Sequence, residues 1–518
     1  MPIVIPIPGL SPSDPVPGNY LVVKFAQGVA GAGTTDYSAV LIGNALSGSL
    51  ASVTAGQRVY SAVSDDQLVT EADAISLFGS GSELHLMFRE FRKRNVNSSL
   101  YAIAVDEGVS AVAATGTITL TGTATTPATA RAFICDTLVE VGISIGDTAT
   151  IVALAMRDAI NSQTFLPVTA SVASGVLTLL SKNRGPRGNE LRFSAKMFPS
   201  TGTGLAITPG IRTTLSGGSV ADDNTTALVT LSTSRYYYYI SAANDSANLG
   251  RVSSQITSMG VATVGLRQRA VTGWSGSSVS AAQAVAVAQN NPRVEIVFQQ
   301  ESDLGQARLA AAACSVYTLQ EQALGADYSM NFNGFGKDAT TGAIWQIPGA
   351  LSGVKMARTQ IVSALNNGIT PIATTTVGST YLVRRITTYS LNGASPDYRV
   401  RDACKVTVAD RFGDDLISQF DTRFPGKNVG NDPLPGQPIP ASNVVTPRMV
   451  KSCINDLVNE YGGVGGGPAL LEGIDVTKAS TQVVREASAP TRISCRIPIK
   501  VSDILCQVAT ELNEVSVG

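Results

Sequence analysis

The sequence predicts a multi-domain α/β protein with an α+β C-terminal part, and three observations carry that expectation. Residues 20–108 and 225–355 alternate apolar strands with amphipathic helices, the pattern of a parallel, doubly wound sheet. Residues 109–224 change character: charges thin out and Thr, Ala, Gly and Val dominate, as in a β-rich domain inserted into a discontinuous α/β domain. Both chain ends read as extended segments with one apolar face, giving an N-terminal arm over 1–19, a C-terminal α+β domain over 356–501 and a C-terminal arm strand over 502–518. A chain of 518 residues has room for about three domains of ~150 residues each.

In the first α/β stretch, residues 20–25 and 40–43 read as strands, the second stopped by Gly43-Asn44. A helix follows Ser82: Leu84, Met87, Phe88 and Phe91 fall at i, i+3, i+4 and i+7, and Arg89, Arg92, Lys93 and Arg94 take the other face or the end. Residues 100–105 are apolar on both faces, as a buried parallel strand requires. In the insert, 117–122 and 176–181 read as strands near turns, and 148–162 as a helix. The second α/β stretch offers strands at 235–240, 261–266 and 294–298, with helices at 247–259, 280–289 and 304–324.

In the last third, Ser395-Pro396-Asp397 supplies an N-cap, a proline at the first helical position and a first-turn acid. The predicted helix then carries a stripe of Val400, Cys404, Val408, Phe412 and Leu416. Thr446-Pro447 opens another helix, with Met449, Val450, Cys453, Ile454, Leu457 and Tyr461 inside and Gly462 just past its end. Residues 425–440, rich in Pro, Gly and Asn, form a long loop between the two.

The first nine residues are apolar but studded with Pro2, Pro6 and Pro8, so they extend and cannot form a helix. Near the other end, Ile493, Cys495, Ile497, Ile499 and Val501 alternate with Arg492, Ser494, Arg496, Pro498 and Lys500. Farther on, Ile504, Cys506, Val508 and Leu512 share one face. Terminal residues fray unless something ties them down, so sticky extended ends point to arms that add strands to a neighbour's sheet. Val4, Ile5, Ile7, Ile504, Cys506, Val508 and Leu512 are the candidate inter-subunit contacts. The six cysteines are scattered without a C-x-x-C pair and are expected to be reduced and buried. Cys506 and Cys495 are the candidates for a disulfide between subunits, once the assembly meets oxidising surroundings.

Composition excludes several functions. Of the chain, 44% is hydrophobic and only 15% is charged, against ~25% in an average soluble domain. Polarity must then come from Ser, Thr, Asn and Gly, which suits a surface largely covered by copies of itself. A net charge of −1 argues against a nucleic-acid partner. There is no basic segment followed by an apolar one at the start and no window of ~18 apolar residues, so the chain is expected to be cytosolic when made and not inserted in a membrane.

Catalytic chemistry is sparse. The one histidine, His85, reads as a helix-surface or interface residue, and no G-x-S-x-G elbow accompanies it. The run Gly462 to Pro468 lacks the Lys-Ser/Thr of a phosphate loop and follows a helix, so it reads as a flexible connection. Gly79-Ser80-Gly81-Ser82 is explained by Ser82 as an N-cap, and Arg184 to Asn189 by a solvated basic turn. Tyr236 to Tyr239 reads as a strand between two helical layers, its hydroxyls reaching partners at the ends. No catalytic residue, cofactor or metal ligand is expected.

Five segments in order carry a resemblance: Pro17-Gly18-Asn19-Tyr20; Phe25-Ala26-Gln27-Gly28; Leu41-Ile42-Gly43-Asn44; Ala74-Ile75-Ser76-Leu77-Phe78 running through Gly79 to His85; and Leu100-Tyr101-Ala102-Ile103. Leu215-Ser216-Gly217-Gly218 leading to Tyr239-Ile240-Ser241-Ala242, and a C-terminal block of two helices and two strands, extend it. Together they resemble the contractile tail sheath proteins of Mu-like bacteriophages and prophages. That resemblance implies a subtilisin-like middle domain without a catalytic triad, inserted outer domains, and an inner, tube-facing domain at 356–501 that carries the arms. It implies hexameric rings stacked helically on a tail tube, contracting to drive the tube through the host envelope, with no catalysis and no cofactor. The implied partners are the chain itself, the tail tube protein, and baseplate and tail terminator proteins; the implied place is the virion, after assembly in the host cytoplasm. The other readings are a surface-layer-like self-assembling protein and an α/β hydrolase. The lack of an elbow and of a second histidine weighs against the hydrolase.

Overall fold

The computed structural model describes residues 37–63, 67–324, 347–376, 378, 380–434, 441–464 and 469–502. The strand expected at 20–25 and the arm candidates Val4, Ile5, Ile7, Ile504, Cys506, Val508 and Leu512 lie outside the described residues. Two compact units divide the chain, one spanning Asp36–Ala403 and a second beginning at Cys404.

The large unit opens with β1 (Ala39–Asn44), α1 (Leu50–Val53), β2 (Val59–Ser61), α2 (Glu71–Phe78), α3 (Glu83–Arg92) and β3 (Leu100–Val105). The inserted segment follows, with β4 (Thr115–Gly122), β5 (Ala128–Ile134), β6 (Thr137–Ile143), α4 (Ala149–Ser162), β7 (Val168–Ala173), β8 (Val176–Ser181), β9 (Arg192–Phe198), β10 (Leu205–Thr208) and β11 (Thr213–Thr214). The chain then returns through α5 (Thr225–Leu231), β12 (Tyr238–Ser241), α6 (Ser246–Met259), β13 (Arg269–Trp274), α7 (Ser280–Gln289), β14 (Val294–Phe298), α8 (Gly305–Leu324), α9 (Arg358–Asn366), β15 (Thr370–Thr374) and β16 (Thr380–Leu382).

Eight of these strands form one sheet in the order β16-β15-β14-β13-β12-β1-β3-β2. Its six central strands run parallel, and β2 and β16 close the edges antiparallel. The period-2 alternation explains the two helical layers. Ala39, Leu41, Tyr238 and Ile240 face the core made with Leu84, Met87 and Phe91 of α3 and Leu309 and Tyr317 of α8. Val40, Ile42, Tyr239 and Ile296 face the other core, with Leu228 of α5, Val252 and Ile256 of α6 and Ala286 of α7. Each large apolar side chain so buried contributes about 1.5–3 kcal/mol. The helices begin where side chains cap them: Thr70 and Asp73 form a reciprocal box on α2, Ser82 accepts from the His85 amide at 3.1 Å on α3, and Asp245 accepts from the Asn248 amide at 2.9 Å on α6.

The insert builds two four-stranded antiparallel sheets, β10-β4-β8-β7 and β11-β9-β5-β6. Ile118, Leu177 and Leu179 from the first sheet share one apolar core with Ala130, Ala132 and Phe193 from the second and Val152, Met156 and Ile160 from α4.

Four sequence expectations are corrected. Residues 261–266 do not form a strand. Gly265, at φ 71, closes a turn after α6, with its amide on Val261 O at 2.8 Å. The strand is β13, whose pattern was hidden because Arg269 is buried in it against Glu295. Residues 358–382, assigned above to the C-terminal domain, pack with the large unit, since β15 pairs in parallel with β14.

The third correction is Ser395-Pro396, which starts no helix. These residues form β18 (Ser395–Pro396), paired with β17 (Leu391–Asn392) around Gly393 at φ 62. The Asp397 carboxylate accepts from Arg399 and Tyr389 instead of capping a helix. The helix is α10 (Ala403–Arg423), which begins just after Asp402, itself held by Arg384.

The second unit continues with β19 (Asn428–Val429), β20 (Val444–Val445), α11 (Pro447–Tyr461), β21 (Leu471–Glu472), α12 (Ile474–Ser480), β22 (Gln482–Arg485), β23 (Ile493–Arg496) and β24 (Lys500–Val501). Here lies the fourth correction: 493–501 is two strands, not one. Pro498, which has no N–H to donate, sits between β23, paired with β22, and β24, paired with β21. In β23 Ser494 is fully buried while Cys495 is half-buried, so there the inward face is not the one the alternation indicated, whereas Ile499 and Val501 are buried as it indicated.

Close packing of the sheet on α8 generates a prediction. A Cβ added at Gly273 of β13 would sit 2.1 Å from Gln306 O, whereas one at Gly142 of β6 meets nothing within 4 Å. Gly273→Ala should lower stability by about 1–3 kcal/mol, and Gly142→Ala by far less. Urea unfolding midpoints of the two variants measure the difference.

Candidate functional site

In an open α/β sheet the place to look for a site is the crevice outside the carboxyl ends of the strands where the strand order reverses. That point lies between β1 and β12, because the chain continues from β1 to one side and later resumes on the other. Four polar residues converge there: Asn44 at the end of β1, Glu83 at the start of α3, Asp222 ahead of α5, and Asn248 in the first turn of α6.

The crevice is filled by the chain itself. Arg187, on a 3₁₀ turn of the insert (Pro186–Glu190), reaches into it. Its Nε donates to Glu83 Oε1 at 2.7 Å and its Nη2 to Glu83 Oε2 at 2.9 Å. Its Nη1 and Nη2 donate to Asp222 Oδ1 and Oδ2 at 2.8 and 2.9 Å, and Nη2 also meets Asn44 Oδ1. Two carboxylates are thus gripped by one planar fork, the strongest geometry available to such a pair. Asn44 N donates to Glu83 Oε2 at 2.9 Å, Asn44 Nδ2 to Asp222 Oδ2 at 3.1 Å, and Asn248 Nδ2 to Asp222 O at 3.0 Å. Burial alone would lower the Arg187 pKa, but Glu83 and Asp222 outweigh it and hold the guanidinium well above its ordinary value. Burial likewise pushes Asp222 up, and Arg187 overrides it, so the carboxyl stays below the usual range.

Further ion pairs hold the insert along the same layer. Arg308 of α8 donates to Asp136 Oδ1 and Oδ2 at 2.7 and 2.9 Å and to Glu90 Oε1 of α3 at 2.6 Å. Arg212 pairs with Asp303, and Ser275 Oγ donates to Glu190 Oε2 at 2.9 Å. Among the described residues, no cluster of His, Cys, Asp and Glu has a geometry for a metal ion.

Two residues stand otherwise than the sequence led us to expect. Arg187 belongs to the turn read as solvated, yet it is largely buried and joins two carboxylates from separate elements of the large unit. The signal was a Gly-Pro-Arg-Gly turn in a segment poor in charge, where a remaining charge has a specific partner. His85, read as a surface or interface residue, is fully buried, its ring bonded to the Gly81 amide and to Glu71. The tyrosine run behaves as a strand between layers: Tyr238 Oη donates to Glu321 Oε2 at 2.5 Å and Tyr239 Oη to Leu231 O at 3.2 Å. Cys135, Cys314, Cys404 and Cys453 are buried thiols and Cys495 a half-buried one, pushed by burial up to about 12.

Over 244 residues the chain is 28% identical to the Mu-like prophage FluMu tail sheath protein of Haemophilus influenzae. This chain is a relative of a Mu-like tail sheath protein. The alignment takes in 46% of this chain and 47% of that one, so the chain spans about half the length of the curated relative it matches. No family model matches the chain. Among solved structures, it aligns with the sheath tail protein of Desulfitobacterium hafniense over 87% of this chain and 90% of that one, at 14% identity and a TM-score of 0.43. It aligns with the contracted helical sheath of the anti-feeding prophage over 96% of this chain and 99% of that one, at 10% identity and a TM-score of 0.46.

The ion-pair node predicts a stability effect. Arg187→Met should cost about 3–5 kcal/mol by leaving two buried carboxylates unpaired. Adding Glu83→Gln and Asp222→Asn should recover much of that loss. Because Asp222 is held below its ordinary range, its contribution is full above pH ~4 and declines as pH falls further. Chemical unfolding of the single and triple variants at pH 7 and pH 3 checks both statements.

Proposed function

We propose that this chain is the structural subunit of a contractile tail sheath. Copies stack as hexameric rings around a tail tube and contract to drive the tube through a host envelope. The observation that carries the reading is the sequence similarity to a Mu-like tail sheath protein. Two features of the fold support a structural role. The crevice at the switch point, where an α/β enzyme would hold its substrate, is closed by Arg187. The single histidine is buried with its ring turned to a backbone amide and a carboxylate. Among the described residues no helix is long and apolar enough to cross a membrane.

In this reading the large sheet is a subtilisin-like domain without a catalytic triad, the insert lies on the outer side of the assembly, and the C-terminal unit faces the tube. The terminal segments link subunits by strand addition, so Val4, Ile5, Ile7, Ile504, Cys506, Val508 and Leu512 contact neighbours. The partners are other copies of the chain, a tube protein, and baseplate and terminator proteins; the assembled place is the virion, reached from the host cytoplasm.

Deleting residues 1–16 or 502–518 should give a folded chain, by circular dichroism, that sediments as a small species instead of a polymer. A truncated chain that still forms long cylinders would refute the arm assignment. In assembled particles after mild oxidation, Cys506 should join neighbours, with Cys495 as one candidate partner. Non-reducing gels should then show multimer ladders that collapse with reductant and that are lost in Cys506→Ser; a lone monomer band would leave both as simple apolar fillers.

A further inference from the structure

His85 sits at the third position of α3, with its ring fully buried. The Gly81 amide donates to its Nδ1 at 3.0 Å. A backbone N–H can only donate, so Nδ1 is unprotonated and the ring proton is on Nε2, 3.3 Å from Glu71 Oε1. The charged groups that face the ring are Glu71 from α2, Arg89 one turn along α3, and Lys182 just past β8 of the insert.

The loop at 79–82, which supplies that amide, is also a seat for the insert. Gly81 has φ +80, and a Cβ there would lie 2.4 Å from Leu166 O and 2.6 Å from Lys182 Nζ. Ser80 Oγ donates to Thr164 Oγ1 at 3.2 Å, and Lys182 Nζ donates to Ser80 O at 3.0 Å and to Thr164 O. The insert's segment after α4 and the end of its β8 therefore rest on one loop, and one ring nitrogen holds that loop from behind.

We propose that His85 is an acid-sensitive latch for the inserted domain: a proton on Nδ1 sets two N–H groups against each other, expels the Gly81 amide, and frees the 79–82 loop from Thr164 and Lys182. The Arg187 and Arg308 pairs keep the insert tethered, so the change is a loosened hinge and not a detachment. Burial disfavours the charged ring and keeps its pKa below the usual imidazole value, with Glu71 opposing and Arg89 and Lys182 adding to the effect. The sign follows: the neutral ring is the folded form, its contribution is full above about pH 6.5, and it is lost as pH falls toward the lowered value. This inference concerns the single chain and stands whether or not the chain builds a sheath.

Hydrogen exchange read by mass spectrometry on the full chain at pH 7.5 and 5.0, corrected for intrinsic rates, tests it. Peptides covering 79–85 and 163–168 should exchange faster at pH 5.0 than at pH 7.5, while peptides from β1 and β3 stay unchanged. In His85→Gln, whose side-chain oxygen can accept from Gly81 without titrating, that pH response should vanish. Lys182→Met, which removes a cation opposing protonation, should move the midpoint of the response to higher pH, and it reports even if the histidine variant fails to fold. An unchanged exchange rate in the wild type, an equal pH response in His85→Gln, or an unmoved midpoint in Lys182→Met would each overturn the latch.

Discussion

Arg187 brings a positive charge out of the inserted domain and into the crevice at the carboxyl ends of β1 and β12, where Glu83 and Asp222 would otherwise be two carboxylates facing each other in a largely buried site. Removing it would leave both unpaired, at a cost of about 3–5 kcal/mol, a sizeable share of the ~5–15 kcal/mol by which a domain is stable. The two carboxylates come from the start of α3 and the approach to α5, and Asn44 comes from the end of β1. One guanidinium thus fixes the insert and both helical layers to the end of the central strand. A large insertion needs such fixation, because its own core of Ile118, Leu177, Phe193 and Met156 is separate from the two cores that flank the main sheet.

The same arrangement bears on function. The position where an open α/β sheet offers a binding crevice is used here as a structural joint, and Arg308 with Asp136 and Glu90 repeats the device along α3 and α8. Such buried pairs are directional, so they fix how the insert is carried as well as holding it in place. The His85 loop lies in the same seam and differs in kind: it depends on one neutral ring nitrogen instead of on paired charges.

Much of the fold was legible. The apolar strands at 40–43, 100–105 and 294–298, and the helices opened by Ser82, Thr148 and Thr446, rest on local apolar runs, periodicity and capping that a sequence displays directly. Several misreadings come from polar residues whose roles depend on their partners, which the periodicity of a segment does not display. Arg269 hid β13 because its pairing with Glu295 cannot be seen locally. Asp397 imitated a first-turn acid while serving Arg399 and Tyr389. Arg187 looked solvated because Glu83 and Asp222 are 104 and 35 residues away. His85 looked amphipathic-surface because α2 and the insert, which cover it, are not helical neighbours.

Electron microscopy of the purified chain tests self-assembly most directly. Assembly as a sheath gives hollow, striated cylinders whose end views have six-fold symmetry. Isolated particles of single-chain size under all concentrations and salt conditions tried, or flat two-dimensional sheets, would contradict it.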